Sequence, residues 1–266
     1  MSTLRVGRIS ALNMFPVYYG LENAPQDDLQ FVDGVPAELN AALLGGDLDV
    51  SAVSSIAYAR NSDRLNLMPV ASITADGAVD SIQLFSNVPF ARVRRVAVTP
   101  ESATSVALLR ILLGPGPPEF TPLNEPIEDA LAHMDAVLLI GDRALVALRA
   151  EVGRYRTDLA EAWRARTGLP MVFAVWASRR EVEDEHPEMV ASLGMRIRDA
   201  RAQYDAEPEI VSRVAAERFP FPLDYVRGYL RRLRYDFGPA ERAGLERFLE
   251  MARAAGLLDA VPELAA

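Results

Sequence analysis

Serine, threonine and asparagine recur where strand-like segments give way to helix-like ones, a spacing that suits an anion-binding cleft. Ser10 and Asn13 follow the alternating stretch Leu4–Ile9. Ser54 and Ser55 follow residues 48–53, and Ser81 opens the alternating residues 81–86. Thr99, Ser102, Thr104 and Ser105 lie between residues 95–98 and an apolar helix, and Gly141 and Asp142 follow residues 136–140. The first N–H groups of a helix have no partner within it, so together with hydroxyls they can hold a carboxylate. Each residue also has a plainer role. A Ser or Thr can cap its own helix, and Asn13 can bond its own backbone in a turn. Ser81 can be an ordinary strand residue, and Asp142 a helix cap or a base.

Other chemistries are missing from the inventory. The chain has no cysteine, hence no thiolate nucleophile and no sulfur-rich metal site. All 28 basic residues are arginine, so Schiff-base chemistry through a lysine amine is excluded. The two histidines, His133 and His186, stand far apart in polar segments and read as surface residues. No metal and no cofactor is expected. The net charge of −9 disfavours nucleic acid and anionic membranes as partners. Arg5, Arg8 and Asn13 break the N-terminal segment, and no run of about 18 apolar residues occurs, so a cytoplasmic protein is expected.

Positioning these groups falls to alternating strands and helices, which predict an α/β protein with mostly parallel sheets. Strands are expected over Leu4–Ile9 and near residues 30–32, 48–53, 68–73, 81–86, 95–99, 136–140 and 169–177. Helices are expected at 36–44, 56–60, 106–113, from 143, and through most of the chain beyond 179. Residues 1–88 and 177–266 are expected to form a discontinuous first lobe, with 89–176 inserted as a second. The chain would then cross near 87–92 and 172–177, leaving a ligand cleft at the carboxyl ends of the strands.

Six ordered blocks, RVGRISALNMFPVYYGL, GDLDVSAVSSIAYARN, SITADGAVDSIQLFS, VAVTPESATSVALLRILL, AVLLIGDRAL and GLPMVFAVWASR, closely resemble the chorismate dehydratases of the futalosine route to menaquinone. The resemblance covers about residues 4–180 and continues more loosely through FGPAERAGLERFLEMARAAGLL. It implies the two-lobed type II fold of periplasmic binding proteins, with chorismate as the small-molecule partner. The implied activity is dehydration of chorismate to 3-[(1-carboxyvinyl)oxy]benzoate. It further implies that Asn13 and Ser81 are the active-site pair, and that Ser102, Thr104 and Ser105 bind carboxylate. Ala11 stands where members of the family often carry Tyr or Phe.

The chemistry suits this inventory. Loss of the C3 proton and the C4 hydroxyl makes the ring aromatic, and charge developing at C3 spreads into the ring carboxylate. A helix start holding that carboxylate stabilises the charge. Neither Asn nor neutral Ser is a good base near neutral pH, so the substrate's own enolpyruvyl carboxylate is read as the proton acceptor. Arg8, Arg60, Arg143 and Arg179 are equal candidates for the second carboxylate. The rival readings are 1,4-dihydroxy-6-naphthoate synthase of the same pathway, a cytoplasmic non-catalytic carboxylate-binding protein, and a regulator's effector domain.

Overall fold

The computed structural model describes residues 3–24, 27–99, 101, 103–116 and 118–264. The chain begins with β1 (Leu4–Ile9), α1 (Phe15–Glu22), β2 (Leu29–Gly34), α2 (Pro36–Gly45), β3 (Val50–Ser54), α3 (Ser55–Arg60) and the long β4 (Leu65–Ala75). It crosses into a second unit of β5 (Ile82–Ser86), β6 (Arg95–Val98), α4 (Ala103–Leu113), β7 (Glu119–Pro122), α5 (Ile127–His133), β8 (Ala136–Ile140), α6 (Gly141–Arg149), β9 (Tyr155–Asp158) and α7 (Leu159–Thr167). It returns through β10 (Met171–Arg179) and ends with α8 (Arg180–Glu185), α9 (Pro187–Ala206), α10 (Pro208–Arg218), α11 (Leu223–Leu230), β11 (Leu233–Arg234) and α12 (Pro239–Ala254).

Two sheets result, in the orders β11-β4-β10-β3-β1-β2 and β7-β6-β8-β5-β9. This is a two-lobed α/β fold, but its sheets are mixed. β1 pairs parallel with β2 and β3, and β6 pairs parallel with β7 and β8. β10 runs antiparallel between β3 and β4, and β5 antiparallel between β8 and β9. The antiparallel strands β5 and β10 are the first that the chain lays down after each crossing. A strand entered directly from the other lobe has no crossover helix to bring it back parallel.

The lobe boundaries therefore differ from 1–88 plus 177–266 and 89–176. β5 belongs to the second sheet and β10 to the first, so the crossings lie at residues 76–81 and 168–170. Alternation in residues 81–86 marks a strand but not the sheet that owns it. All of β5 is buried, and the run from Met171 to Ala177 is buried save Ala174, as central strands require.

The first crossing is tied down from both lobes. Asp76 pairs with Arg164 of α7 at 3.0 Å and with Arg234 of β11 at 2.7 Å, and Asp80 pairs with Arg232. Asp80 itself is left-handed, at φ 65°. The second crossing is clamped by packing. Trp163 is fully buried, donates Nε1–H to the Pro170 carbonyl at 3.1 Å, and meets Phe248 of α12 edge-on at 6.1 Å. Gly244 permits that approach, because a Cβ there would stand 2.2 Å from the Pro170 oxygen. The main apolar cluster runs through both lobes, and a smaller one lies under α5 and α6.

Candidate active site

A cavity of about 520 Å³ lies between the lobes. Its apolar wall includes Ile9, Ile73, Ile82, Ile140 and Phe173, and its polar groups come from the strand ends. From the first lobe, β1 ends at Ile9 and a tight turn leads to α1, with the Met14 N–H donating to the Ala11 carbonyl at 3.0 Å. Tyr235 fixes this turn by donating its hydroxyl to the Asn13 carbonyl at 2.9 Å. The Asn13 side chain lines the cavity, and its Oδ1 is shielded from solvent with no hydrogen-bond partner. Ser54, at the end of β3, lines the cavity too, and its Oγ is likewise shielded and unpartnered. Buried polar atoms are nearly always satisfied, so two orphans on one wall mark where a ligand's polar groups belong.

The second lobe supplies the facing wall. Thr99, Thr104 and Ser105 are buried at the start of α4 and line the cavity. Ser102 lies outside the described residues. Gly141 and Asp142 line the cavity from the start of α6. Gly141 is left-handed at φ 58°, and a Cβ there would meet nothing within 4 Å, so conformation rather than space requires glycine. Two hydrogen bonds join the walls. The Leu12 N–H donates to Asp142 Oδ1 at 3.2 Å, and the Ile56 N–H donates to Thr104 Oγ1 at 3.2 Å. Burial raises the Asp142 carboxyl above the ordinary carboxylate range, against an opposing pull from the Leu12 N–H.

Two of the residues singled out from sequence are not in the cavity wall. Ser55 is fully buried and donates its hydroxyl to the Val172 carbonyl at 2.7 Å, which ties α3 to β10. This corrects its reading as a substrate ligand: the first residue of a helix turns into the core while Ser54 faces out. Ser81 is only 2% exposed and sits one layer behind the wall. Its carbonyl accepts the Gly141 N–H at 2.8 Å, and its hydroxyl lies beside the buried phenol of Tyr229. Burial pushes that phenol far up, with Ser81 pulling slightly the other way.

The corner between β2 and α2 was not anticipated, yet Asp33, Gly34, Val35, Pro36 and Glu38 all line the cavity, as does Glu101. The signal was available, since ligands sit at carboxyl ends of strands and Gly34 ends β2. Arg8 grips Asp33 at 2.6 and 2.8 Å and Glu22 at 2.7 Å, and its guanidinium holds the Asp33 carboxyl below the usual range. Arg60 bonds the Leu257 carbonyl, and Arg179 pairs with Glu181. Of the four arginine candidates only Arg143 lines the cavity, and among the described residues it has no ion-pair partner. His133 pairs with Glu125 at 2.8 Å on the surface, and neither histidine lines the cavity. Among the described residues no group of three or more His, Asp or Glu could hold a metal, and no helix is long and apolar enough to cross a membrane.

Comparison with known proteins adds to this geometry. A chorismate dehydratase of Thermus thermophilus is 37% identical over 256 residues, covering 90% of this chain and 91% of its own. The alkanesulfonate-binding protein of Xanthomonas axonopodis pv. citri, solved bound to MOPS, superposes with a TM-score of 0.72 at 15% identity, covering 98% of this chain and 95% of its own. A Candida albicans protein, described as having the generic periplasmic binding protein fold, superposes with a TM-score of 0.71 at 10% identity over 98% and 92%. The two-lobed periplasmic-binding-protein-like fold is thus shared with proteins of little sequence likeness. The family profile described as "Menaquinone biosynthesis" matches residues 4–254, so nearly every element that builds this cleft falls inside it, and the chain belongs to the menaquinone biosynthesis family.

Proposed function

We propose that this protein is a cytoplasmic lyase that removes water from chorismate to give 3-[(1-carboxyvinyl)oxy]benzoate. The observation that carries the reading is the arrangement of the cleft in a chain so similar to a chorismate dehydratase. Asn13 and Ser54, whose Oδ1 and Oγ are unpartnered, line one cavity with the hydroxyl-bearing residues Thr99, Thr104 and Ser105. The ring carboxylate binds at the start of α4, with Thr99, Thr104 and Ser105 around it. Thr104 Oγ1 already accepts the Ile56 N–H, which leaves its own proton to donate. Asn13 holds the C4 hydroxyl, with Ser81 behind it and Ser54 beside it. The enolpyruvyl carboxylate takes the C3 proton. The reaction is redox-neutral and asks for no cofactor. A substrate carrying two negative charges does not cross a lipid bilayer unaided, which supports a cytoplasmic site of action.

Arg143 is the cation placed to meet the enolpyruvyl carboxylate. Arg143→Gln is expected to raise KM for chorismate about tenfold, the low end for a hydrogen bond to a charged group because the side chain is exposed. The turnover number should stay within about threefold, and steady-state kinetics decide. The reading itself is tested by incubating the purified protein with chorismate. The cyclohexadiene absorbance should decay while an aromatic product lighter by one water accumulates. A receptor would bind chorismate and leave the spectrum unchanged, and that result would overturn the proposal.

A further inference from the structure

We infer that Asp142 is the acid that protonates the departing C4 hydroxyl, held in place by its bond across the lobes to the turn that carries Asn13; this rests on the dehydratase reading above. Hydroxide is a poor leaving group near neutral pH, so the C4–O bond breaks far more easily with a proton donor at that oxygen. Among the described residues the cavity wall holds no His, Lys, Cys or Tyr, and Ser and Thr hydroxyls are too weakly acidic for the task. Four carboxyl groups remain: Asp33, Glu38, Glu101 and Asp142. Asp33 is gripped by Arg8 through two hydrogen bonds and stays ionised. Glu38 is taken up by its own helix, its Oε2 accepting the Val35 N–H at 3.3 Å. Glu101 stands in the turn before α4, beside the hydroxyls that take the substrate's carboxylate.

Asp142 has the required geometry. One oxygen accepts the Leu12 N–H at 3.2 Å, and Leu12 immediately precedes Asn13. The carboxyl of the second lobe is thereby held against the turn of the first lobe that carries Asn13. A protonated carboxyl can accept that N–H through its carbonyl oxygen and present its O–H to the cavity. The surroundings favour this form. Asp33, Glu38 and Glu101 line the same cavity, and the buried Tyr229 phenol lies within reach of the Asp142 charge. The one nearby cation lining the cavity with it is Arg143, which is exposed. Burial works in the same direction.

The step balances. The C3–H proton passes to the enolpyruvyl carboxylate, and its electron pair forms the C3–C4 double bond as the C4–O bond breaks. Asp142 gives its proton to the departing oxygen, which leaves as water. The proton now on the product's carboxyl exchanges with solvent on product release, and Asp142 is reprotonated from solvent.

The test is Asp142→Asn in the full chain, because the amide oxygen can still accept the Leu12 N–H while no acid remains. The turnover number for chorismate is expected to fall at least about 100-fold, the lower range for a lost general acid. The dissociation constant for 3-[(1-carboxyvinyl)oxy]benzoate should stay within about threefold. The wild-type turnover number should fall as pH rises through the Asp142 pKa, and the residual rate of the variant should lack that limb. Turnover within about fivefold of wild type would overturn the assignment. So would loss of product affinity in step with activity, which would make Asp142 a binding residue. A wild-type protein that leaves chorismate intact would sink the dehydratase reading itself, and that failure is visible without the variant.

Discussion

Asn13→Ala is expected to lower kcat/KM for chorismate by about 100-fold or more, the scale seen when one preorganised polar group at a reacting centre is removed. Asn13 lines the cavity, its backbone is fixed by Tyr235, and its Oδ1 has no competing partner. Most of the loss should appear in the turnover number, because the charged groups that bind the substrate are elsewhere. Ser81→Ala should cost less, about tenfold, the equivalent of one ordinary hydrogen bond. Ser81 is not itself a lining residue; its neighbour Ile82 and Gly141, whose N–H its carbonyl holds, are. Steady-state kinetics of both variants would settle the pair, and near-normal turnover in both would remove them from the mechanism.

Asp158→Ala is expected to destabilise the protein by about 3–5 kcal/mol, since three of the donors it leaves unpaired are fully buried, at about 1–3 kcal/mol each, while the cost of burying the carboxylate itself is relieved. Asp158 ends β9 and is 8% exposed. Its Oδ1 caps α7 by accepting the Ala160 and Glu161 N–H groups at 3.0 and 3.1 Å. Its Oδ2 accepts the Val79 and Asp80 N–H groups at 2.9 and 2.7 Å and the Gln83 amide at 2.7 Å. One carboxylate thus joins the second lobe to the first crossing, where Asp80 holds its left-handed conformation. Chemical denaturation with matched m-values would measure the loss. A change below about 1 kcal/mol would mean that water or rearrangement replaces these bonds.

Much of this arrangement was legible in the sequence. The strands at Leu4–Ile9 and Ala136–Ile140 and the helix that begins at Pro36 lie where the pattern puts them. Residues 119–122 and 155–158 went unread as strands because they are four-residue edge strands with exposed positions and no apolar run. Ownership of β5 and β10 was misread for another reason. It depends on which sheet has a vacant neighbour, and local periodicity carries no such information. The polar cluster around the cleft was readable because helix starts advertise themselves. Ser54 against Ser55 was not, since one residue of helical rotation decides which of two adjacent serines faces the cavity and which faces Val172.

The place of β10 in the first sheet governs the order in which the chain can fold as it leaves the ribosome. Residues 82–167 hold every strand of the second sheet, so that lobe can form as soon as they emerge. The first sheet cannot close at that moment, because β3 and β4 are not neighbours and the strand that joins them, β10, is made only after the whole second sheet. Until residue 179 is translated, both strands expose unpaired edges that invite aggregation. The topology therefore lets the inserted half be completed first, with the returning strand joining β3 to β4 afterwards.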